Sequence, residues 1–370
     1  MKIGILTLPL HTNYGGILQA YALQTVLERM GHEVEFIDGV KYKTKGVKQK
    51  TKYVLSQIFV PLHLWGLLKL FRVIYFTRTY YTKRFVDKHL HVSKFETLDS
   101  VNEYDIDAIV VGSDQVWRAK FFGEKRYTEA YLSFSKGWNV KKIAYAASFG
   151  SDEWEVDDEM TQRCKELISL FDAVSVREKS AVRICREILN VTAKQLLDPT
   201  LLLEKDDYDK LIPKRNKECT SFIMSYIIDT DDAKSQICDK LSSLLQLPIV
   251  SSNSRVEDIS STHFSLEEQV QPPVEEWLDK IRNADLIVTD SFHACVFSII
   301  YQKQFYVLGN MYRGMARFES LLEMFDLTDR LVFDCTAIDV NRRIDYSVVN
   351  KLLDSKIQES KQFLIQYLRV

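Results

Sequence analysis

Short apolar runs that read as buried strands alternate along this chain with amphipathic helical stretches, and that alternation admits few folds. It is the pattern of a parallel sheet covered on both faces, so an α/β protein is expected. The first unit runs from a strand "KIGILTL" through a loop "PLHTNYGG" into a helix "ILQAYALQTVLERM", ended by Gly31, and a strand "EVEFID". Further strand-and-loop units follow in "IDAIVVGSDQVW", "KIAYAASFG", "AVSVREKSAVRICREIL" and "AKQLLDPTLLL". After Leu203 a charged connector, "EKDDYDKLIPKRNKE", interrupts the pattern. A second series begins at "CTSFIMSYIID" and continues through "LPIVSS", "PVEEWLDKIRNA", "DLIVTD", "HACVFSIIYQ" and "QFYVLG". The chain closes with an amphipathic helix, "YSVVNKLLDSKIQESKQFLIQYL". The expected organisation is a Rossmann-like domain over 1–205, a second over 206–345 and a C-terminal helix over 346–370, with the two domains facing each other across a cleft. In such sheets ligands sit outside the carboxyl ends of the strands, which is where chemistry is to be sought.

Composition narrows the partners. Lys and Arg number 49 against 51 Asp and Glu, a net charge of -2 that gives no reason to expect nucleic acid. One segment departs from this balance. Lys41 to Leu90 holds twelve Lys or Arg and one acid, Asp87, for a local charge of +11, leaving the rest of the chain at -13. Its beginning, "KYKTKGVKQKTK", reads as a solvated loop. The remainder, to about residue 95, is apolar and aromatic with interspersed cations, either a basic helical insertion packed on its own domain or a helix pair for a membrane surface. Six cysteines, Cys164, Cys185, Cys219, Cys238, Cys295 and Cys335, lie far apart without metal-ligand spacing and read as reduced buried thiols. "MKIGILTLPL" lacks a signal-peptide core, and no run approaches the roughly 18 apolar residues of a membrane span, so a cytoplasmic location is expected.

Two places invite chemistry. The first loop carries Gly15 and Gly16 and is followed by Asp38, 22 residues after Gly16. It lacks the three glycines of a dinucleotide fingerprint, so a nicotinamide cofactor is not expected. What remains is a helix N-terminus whose amides suit a carboxylate or phosphate, or a plain turn. The second place is "TDSFHACVF", where Asp290, Ser291, Phe292 and His293 fall at a strand-to-helix turn. Ser291 and Asp290 suit helix caps. A cationic His293 at a helix N-terminus needs an anion beside it, so the ring is either neutral or next to an anionic group.

Seven segments in order, "GILTLPLHTNYGGILQAYAL", "VVGSDQVWR", "YAASFG", "SVREKSAV", "LDPTLL", "EEWLDKIRNADLIVTDSFHACVFSIIYQKQFYVL" and "RFESLLEMFDL", resemble the polysaccharide pyruvyl transferase family from Ile3 to about Val332. The resemblance implies a GT-B-like pair of domains and an enzyme that transfers the enolpyruvyl carbons of phosphoenolpyruvate onto two hydroxyls of a sugar as a cyclic ketal. It implies no metal and no cofactor. The acceptor would be a sugar or lipid-linked oligosaccharide in surface (exopolysaccharide or capsule) biosynthesis; separately from the resemblance, the +11 segment, if it is a membrane-surface element rather than a packed insertion, would bring the enzyme to the inner membrane face. By resemblance, Arg177 and His293 serve the donor, His293 as phosphate ligand or as proton donor to the methylene carbon. Asp114 is the expected base for an acceptor hydroxyl, or else a turn aspartate bonding its own backbone. Many relatives carry an arginine where this chain has Ser291, and often a glycine where it has Ala294. Ser291 and Arg317 complete the expected donor site, although Arg317 can also pair with Glu319. Asn13, Tyr14, Gly15, Gly16, Gln115 and Trp117 are the expected acceptor side, Trp117 being equally suited to a core. A nucleotide-sugar glycosyltransferase and a non-catalytic glycan-binding relative remain as alternatives.

Overall fold

The computed structural model describes residues 1–37, 47–70, 74–93, 98–121, 123–214, 221–252, 270–309 and 314–369. Among them are two parallel sheets. The first contains β1 (Lys2–Leu6), β2 (Glu33–Phe36), β3 (Ala108–Val111), β4 (Lys141–Ala147), β5 (Ala173–Val176) and β6 (Lys194–Gln195), in the order β2-β1-β3-β4-β5-β6. The second contains β7 (Ile223–Tyr226), β8 (Ile249–Ser251), β9 (Leu286–Thr289), β10 (Gln304–Leu308) and β11 (Leu331–Val332), in the order β11-β10-β9-β7-β8. Pairing is parallel throughout, with Ile3 opposite Ala108 and Tyr226 opposite Thr289. The protein is an α/β molecule of two Rossmann-like domains in a GT-B-like arrangement.

The central strands are apolar without alternation because helices cover both faces, as β3 (AIVV) and β9 (LIVT), buried at every position, illustrate. The helices between the sheets follow the same rule. Helix Tyr14–Arg29 buries twelve of its sixteen residues, and helix Phe292–Ile300 buries all nine, far more than a surface helix would. They face each other, and one apolar core runs from Ile5 and Ile17 of the first domain through Trp277 and Phe297 of the second. Trp277 stands at its centre, with ring centroids 5.4 Å from Tyr14, 5.3 Å from Phe297 and 5.5 Å from Tyr226. The C-terminal helix Tyr346–Tyr367 returns to the first domain, where Ser360 Oγ accepts a hydrogen bond from the Leu197 amide at 3.2 Å.

Several details differ from the sequence expectations. Residues 41–46 of the expected loop lie outside the described residues, and from Val47 the chain is helical rather than looped. The basic segment forms four helical pieces, Val47–Phe59, Trp65–Leu70, Ile74–Arg78 and Tyr80–His89, instead of a pair. They enclose a small core of Val60, Leu68, Phe76 and Tyr80, which a two-helix reading of the periodicity misses. The run "AKQLLDPTLLL" gives only a two-residue strand, because Asp198 caps a short 3₁₀ turn with Pro199 in its first position. Cys335 is half-buried, unlike Cys164, Cys185, Cys238 and Cys295, and Cys219 lies outside the described residues.

Because one core joins the two sheets, removing its central ring should loosen both. Trp277→Ala is expected to lower stability by about 3–5 kcal/mol, read as a fall in the urea midpoint by far-UV circular dichroism.

Candidate active site

The carboxyl ends of both sheets open on one cavity of about 390 Å³. The loop after β1 supplies Thr12 and Asn13, the loop after β3 supplies Asp114 and Gln115, and the turn after β9 supplies Ser291, Phe292 and His293. Arg317, in the first turn of helix Ala316–Met324, and Arg78, from the basic helical segment, add two guanidiniums to the wall.

Beneath this wall lies a buried charge network centred on Asp198, the residue that follows β6 and its two leucines. Asp198 Oδ1 accepts hydrogen bonds from the amide and hydroxyl of Thr200, at 3.0 and 2.6 Å. Its Oδ2 accepts from Arg177 Nη1 at 2.8 Å and lies 3.5 Å from His293 Nε2. At 3.5 Å without good hydrogen-bond geometry, the His293 contact is electrostatic. Arg177 Nη2 also donates to Asp114 Oδ1 at 3.3 Å. Arg177 comes from the first domain and His293 from the second, so one carboxylate stands between side chains of both. Burial opposes charge on Asp198, but the adjacent His293 ring, the Arg177 guanidinium and the Thr200 hydroxyl outweigh it and hold the carboxyl well below the usual carboxylate range.

Arg177 therefore does not face the cavity as the sequence led one to expect. Its side chain is about 2% exposed, it is held between Asp198 and Asp114, and its guanidinium carbon lies 4.2 Å from the centre of the Phe292 ring. Two carboxylates neutralise it, which leaves little charge for an incoming anion. Arg317 is in the opposite situation. Its residue is 8% exposed, its guanidinium carbon lies 5.9 Å from the Phe292 ring centre, and it has no hydrogen-bond or ion-pair partner among the described residues, Glu319 included. Burial and repulsion from Arg177 push its pKa down to about 10, so it stays charged at neutral pH. The buried carboxylates of Asp114 and Glu178 act on it from a distance, but a buried guanidinium without a hydrogen-bonded partner on a cavity wall is costly unless an anion joins it.

Asp114 is poised differently from a turn aspartate. Its backbone is left-handed (φ 68°), its carbonyl accepts from Val116 and Ser148 at 2.8 and 3.0 Å, and its Oδ2 has no partner. That oxygen is free for a ligand's hydroxyl. Ser291 caps helix Phe292–Ile300 through the Ala294 amide, and its hydroxyl also lines the cavity. Asp290 is not a cap. It accepts from the amides of Ile228 and Asp229 and from Lys234 Nζ at 2.6, 3.1 and 2.8 Å, fixing the loop after β7.

On the expected acceptor side, Asn13 and Gln115 line the cavity, whereas Tyr14 and Trp117 do not. Tyr14 is fully buried, stacked on Trp277 with its hydroxyl donating to the Pro272 carbonyl at 2.7 Å. Trp117 is 1% exposed, stacked on Tyr131 and donating to the Ala130 carbonyl. Both large rings satisfy the core first. Gly15 and Gly16 sit inside the first helical turn rather than in a loop, and the Gly16 amide is already taken by Asn13 Oδ1 at 3.2 Å. The reason for Gly15 is steric: a Cβ there would fall 2.1 Å from the His293 ring.

Three residues of the site were not read from the sequence. Asp198 stands in a quoted segment, "LDPTLL", where an acid between leucines and proline was a signal. Arg78 is one of many cations in a basic stretch and carries no signal of its own. Phe292 looked like any apolar residue of a helix start.

The comparisons with known proteins bear on this site. A family model described as "Polysaccharide pyruvyl transferase" matches residues 13–311, which includes every cavity residue except Thr12 and Arg317. The chain belongs to the polysaccharide pyruvyl transferase family. No curated protein matches it in sequence. Among solved structures, the UDP-N-acetylglucosamine 2-epimerase of Rickettsia bellii aligns with a TM-score of 0.47 at 13% identity, covering 100% of this chain and 99% of that one. S. aureus MnaA with UDP gives 0.48 at 12% identity, covering 97% and 90%. An alpha-glucosyltransferase in complex with UDP gives 0.45 at 11%, covering 99% and 96%. Scores this low lend nothing to a functional reading, which rests on the family and the geometry.

The network yields a pH-dependent expectation. A depressed carboxyl stabilises the fold fully above its unfolded pKa of about 3.9, and that contribution fades as pH falls toward the folded value. Asp198→Asn is therefore expected to cost about 3 kcal/mol at pH 7, since it leaves Arg177 without its main partner. In urea titrations the gap between variant and wild type should close as pH falls below about 4.

Proposed function

We propose that this family member transfers the pyruvyl carbons of phosphoenolpyruvate onto two hydroxyls of a sugar, forming a cyclic ketal in surface polysaccharide biosynthesis. The observation that carries the reading is Arg317, a buried cation on the cavity wall with no hydrogen-bond or ion-pair partner among the described residues. It stands in for the arginine that relatives carry at the position of Ser291.

The chain's own residues supply the steps. Arg317, helped by Arg78 and the Ser291 hydroxyl, holds the donor's phosphate and carboxylate. His293 gives a proton to the methylene carbon, and the Asp198 carboxylate stabilises the imidazolium beforehand. The resulting electrophilic carbon is attacked by a first sugar hydroxyl, whose proton passes to the free oxygen of Asp114. The carbon–oxygen bond to phosphate breaks, and the second hydroxyl closes the ring. Of the two hydroxyl protons, one replaces that spent on the methyl group and the other leaves with inorganic phosphate. Asn13 and Gln115 orient the acceptor. Arg177 is a positioning residue that fixes Asp198 and Asp114.

The test compares ligands by thermal shift. Phosphoenolpyruvate should raise the melting temperature of the wild type, and Arg317→Ala should weaken that binding about tenfold or more, the scale of a lost charge-assisted hydrogen bond. With a competent acceptor, His293→Ala should abolish phosphate release while leaving donor binding in place. Stabilisation by a sugar nucleotide but not by phosphoenolpyruvate would make the protein a glycosyltransferase. Stabilisation by neither would make it a non-catalytic relative.

A further inference from the structure

The four helical pieces between Val47 and His89 keep one apolar face for their own core and leave another in water. Val54 and Ile58, one turn apart on helix Val47–Phe59, are 54% and 47% exposed, and Leu62 in the following turn is 60% exposed. Leu64 and Leu67 beside them are 39% and 38% exposed. Elsewhere among the described residues, exposed large apolar side chains are scattered; here five fall within fourteen positions. Exposed apolar side chains gathered in one short segment mark an interaction surface.

Charge identifies the occupant. The patch belongs to the segment at +11, while the rest of the chain is at -13. A second copy of the chain would have to set this basic segment against itself in a two-fold contact, so a homodimer through the patch is disfavoured. An anionic lipid bilayer matches both properties, accepting the apolar side chains between its headgroups and attracting the cations, while repelling the acidic remainder. No helix among the described residues is long and apolar enough to cross a membrane, so contact would be with the surface.

The segment is also built into the active site. Helix Ile74–Arg78 places Arg78 on the cavity wall, and the Arg78 carbonyl accepts a hydrogen bond from the amide of Gln271, another wall residue of the second domain. We propose that residues 47–89 form a docking platform for an anionic lipid surface that holds the cavity beside the bilayer, where a lipid-linked acceptor is delivered. Only the delivery of the acceptor rests on the ketal-transfer reading; the docking itself does not.

The experiment is co-sedimentation of the full chain with vesicles of phosphatidylcholine alone and of phosphatidylcholine mixed with phosphatidylglycerol. The wild type is expected in the pellet with the anionic vesicles and in the supernatant with the neutral ones, and high salt should release it. The exposed-site variant Val54→Ser/Ile58→Ser/Leu62→Ser should bind anionic vesicles about tenfold less or weaker, with unchanged circular dichroism and an unchanged thermal response to phosphoenolpyruvate. Equal retention by both vesicles, retention by neither, or full binding by the triple variant would overturn the proposal. So would a wild-type dimer in solution that the same substitutions dissociate. Absence of vesicle binding by the wild type with its phosphoenolpyruvate response intact refutes the platform alone, whereas vesicle binding by the wild type without a phosphoenolpyruvate response refutes the donor assignment alone.

Discussion

The carboxylate of Asp198 is the interaction on which the site depends. It is fully buried and takes up the charge of Arg177 at 2.8 Å while standing 3.5 Å from His293. Without it, the buried Arg177 guanidinium would lose its nearest counterion, which costs stability in a low-dielectric interior. With it, Arg177 becomes a strut that also holds Asp114, and the imidazole has an anion beside it at the start of a helix, where a bare positive charge is unfavourable. The network is therefore spent on geometry. Arg317, on the cavity wall, stands outside these ion pairs.

A second guanidinium reaches the cavity without joining that network. The cation comes from the next strand-end helix and reaches the same cavity near the same phenyl ring of Phe292. Arg177 rests against that ring at 4.2 Å, so the ring packs with both guanidiniums while the carboxylates decide which of them is neutralised. Across the same cavity, Asp114 contributes a buried carboxylate oxygen, Oδ2, that has no hydrogen-bond partner.

The shape of the cavity is set by how the two domains dock, and docking is set by apolar packing. Helices Tyr14–Arg29 and Phe292–Ile300 are buried on all sides because each is core for both sheets. Gly15 lets them approach until the backbone of one touches the imidazole of the other. A second close approach joins the Gly314 region to Gly150, whose φ of 65° favours glycine. The amide of that same Gly150 donates to buried Glu178, so the charge network and the domain contact share a loop.

The sequence by itself determined the layer architecture, because strand and helix periodicities and the apolar strands of a covered parallel sheet are local properties. It also placed Asp114, His293 and Ser291 at strand ends, where topology makes a cleft, and its ordered segments carried the family. Only the tertiary structure decided which charges are free. Arg177 and Arg317 look alike along the chain; only Arg177 is ion-paired to two buried carboxylates, while Arg317 lines the cavity with no hydrogen-bond or ion-pair partner among the described residues. Tyr14 and Trp117 resembled sugar platforms, but burying a large ring in the core outweighs presenting it to a cavity. Asp198 and Arg78 also gained their places from partners distant in sequence, His293 and Gln271. Periodicity reports which face of an element is buried, whereas pairing of charges depends on distances that exist only after the two sheets have closed on each other.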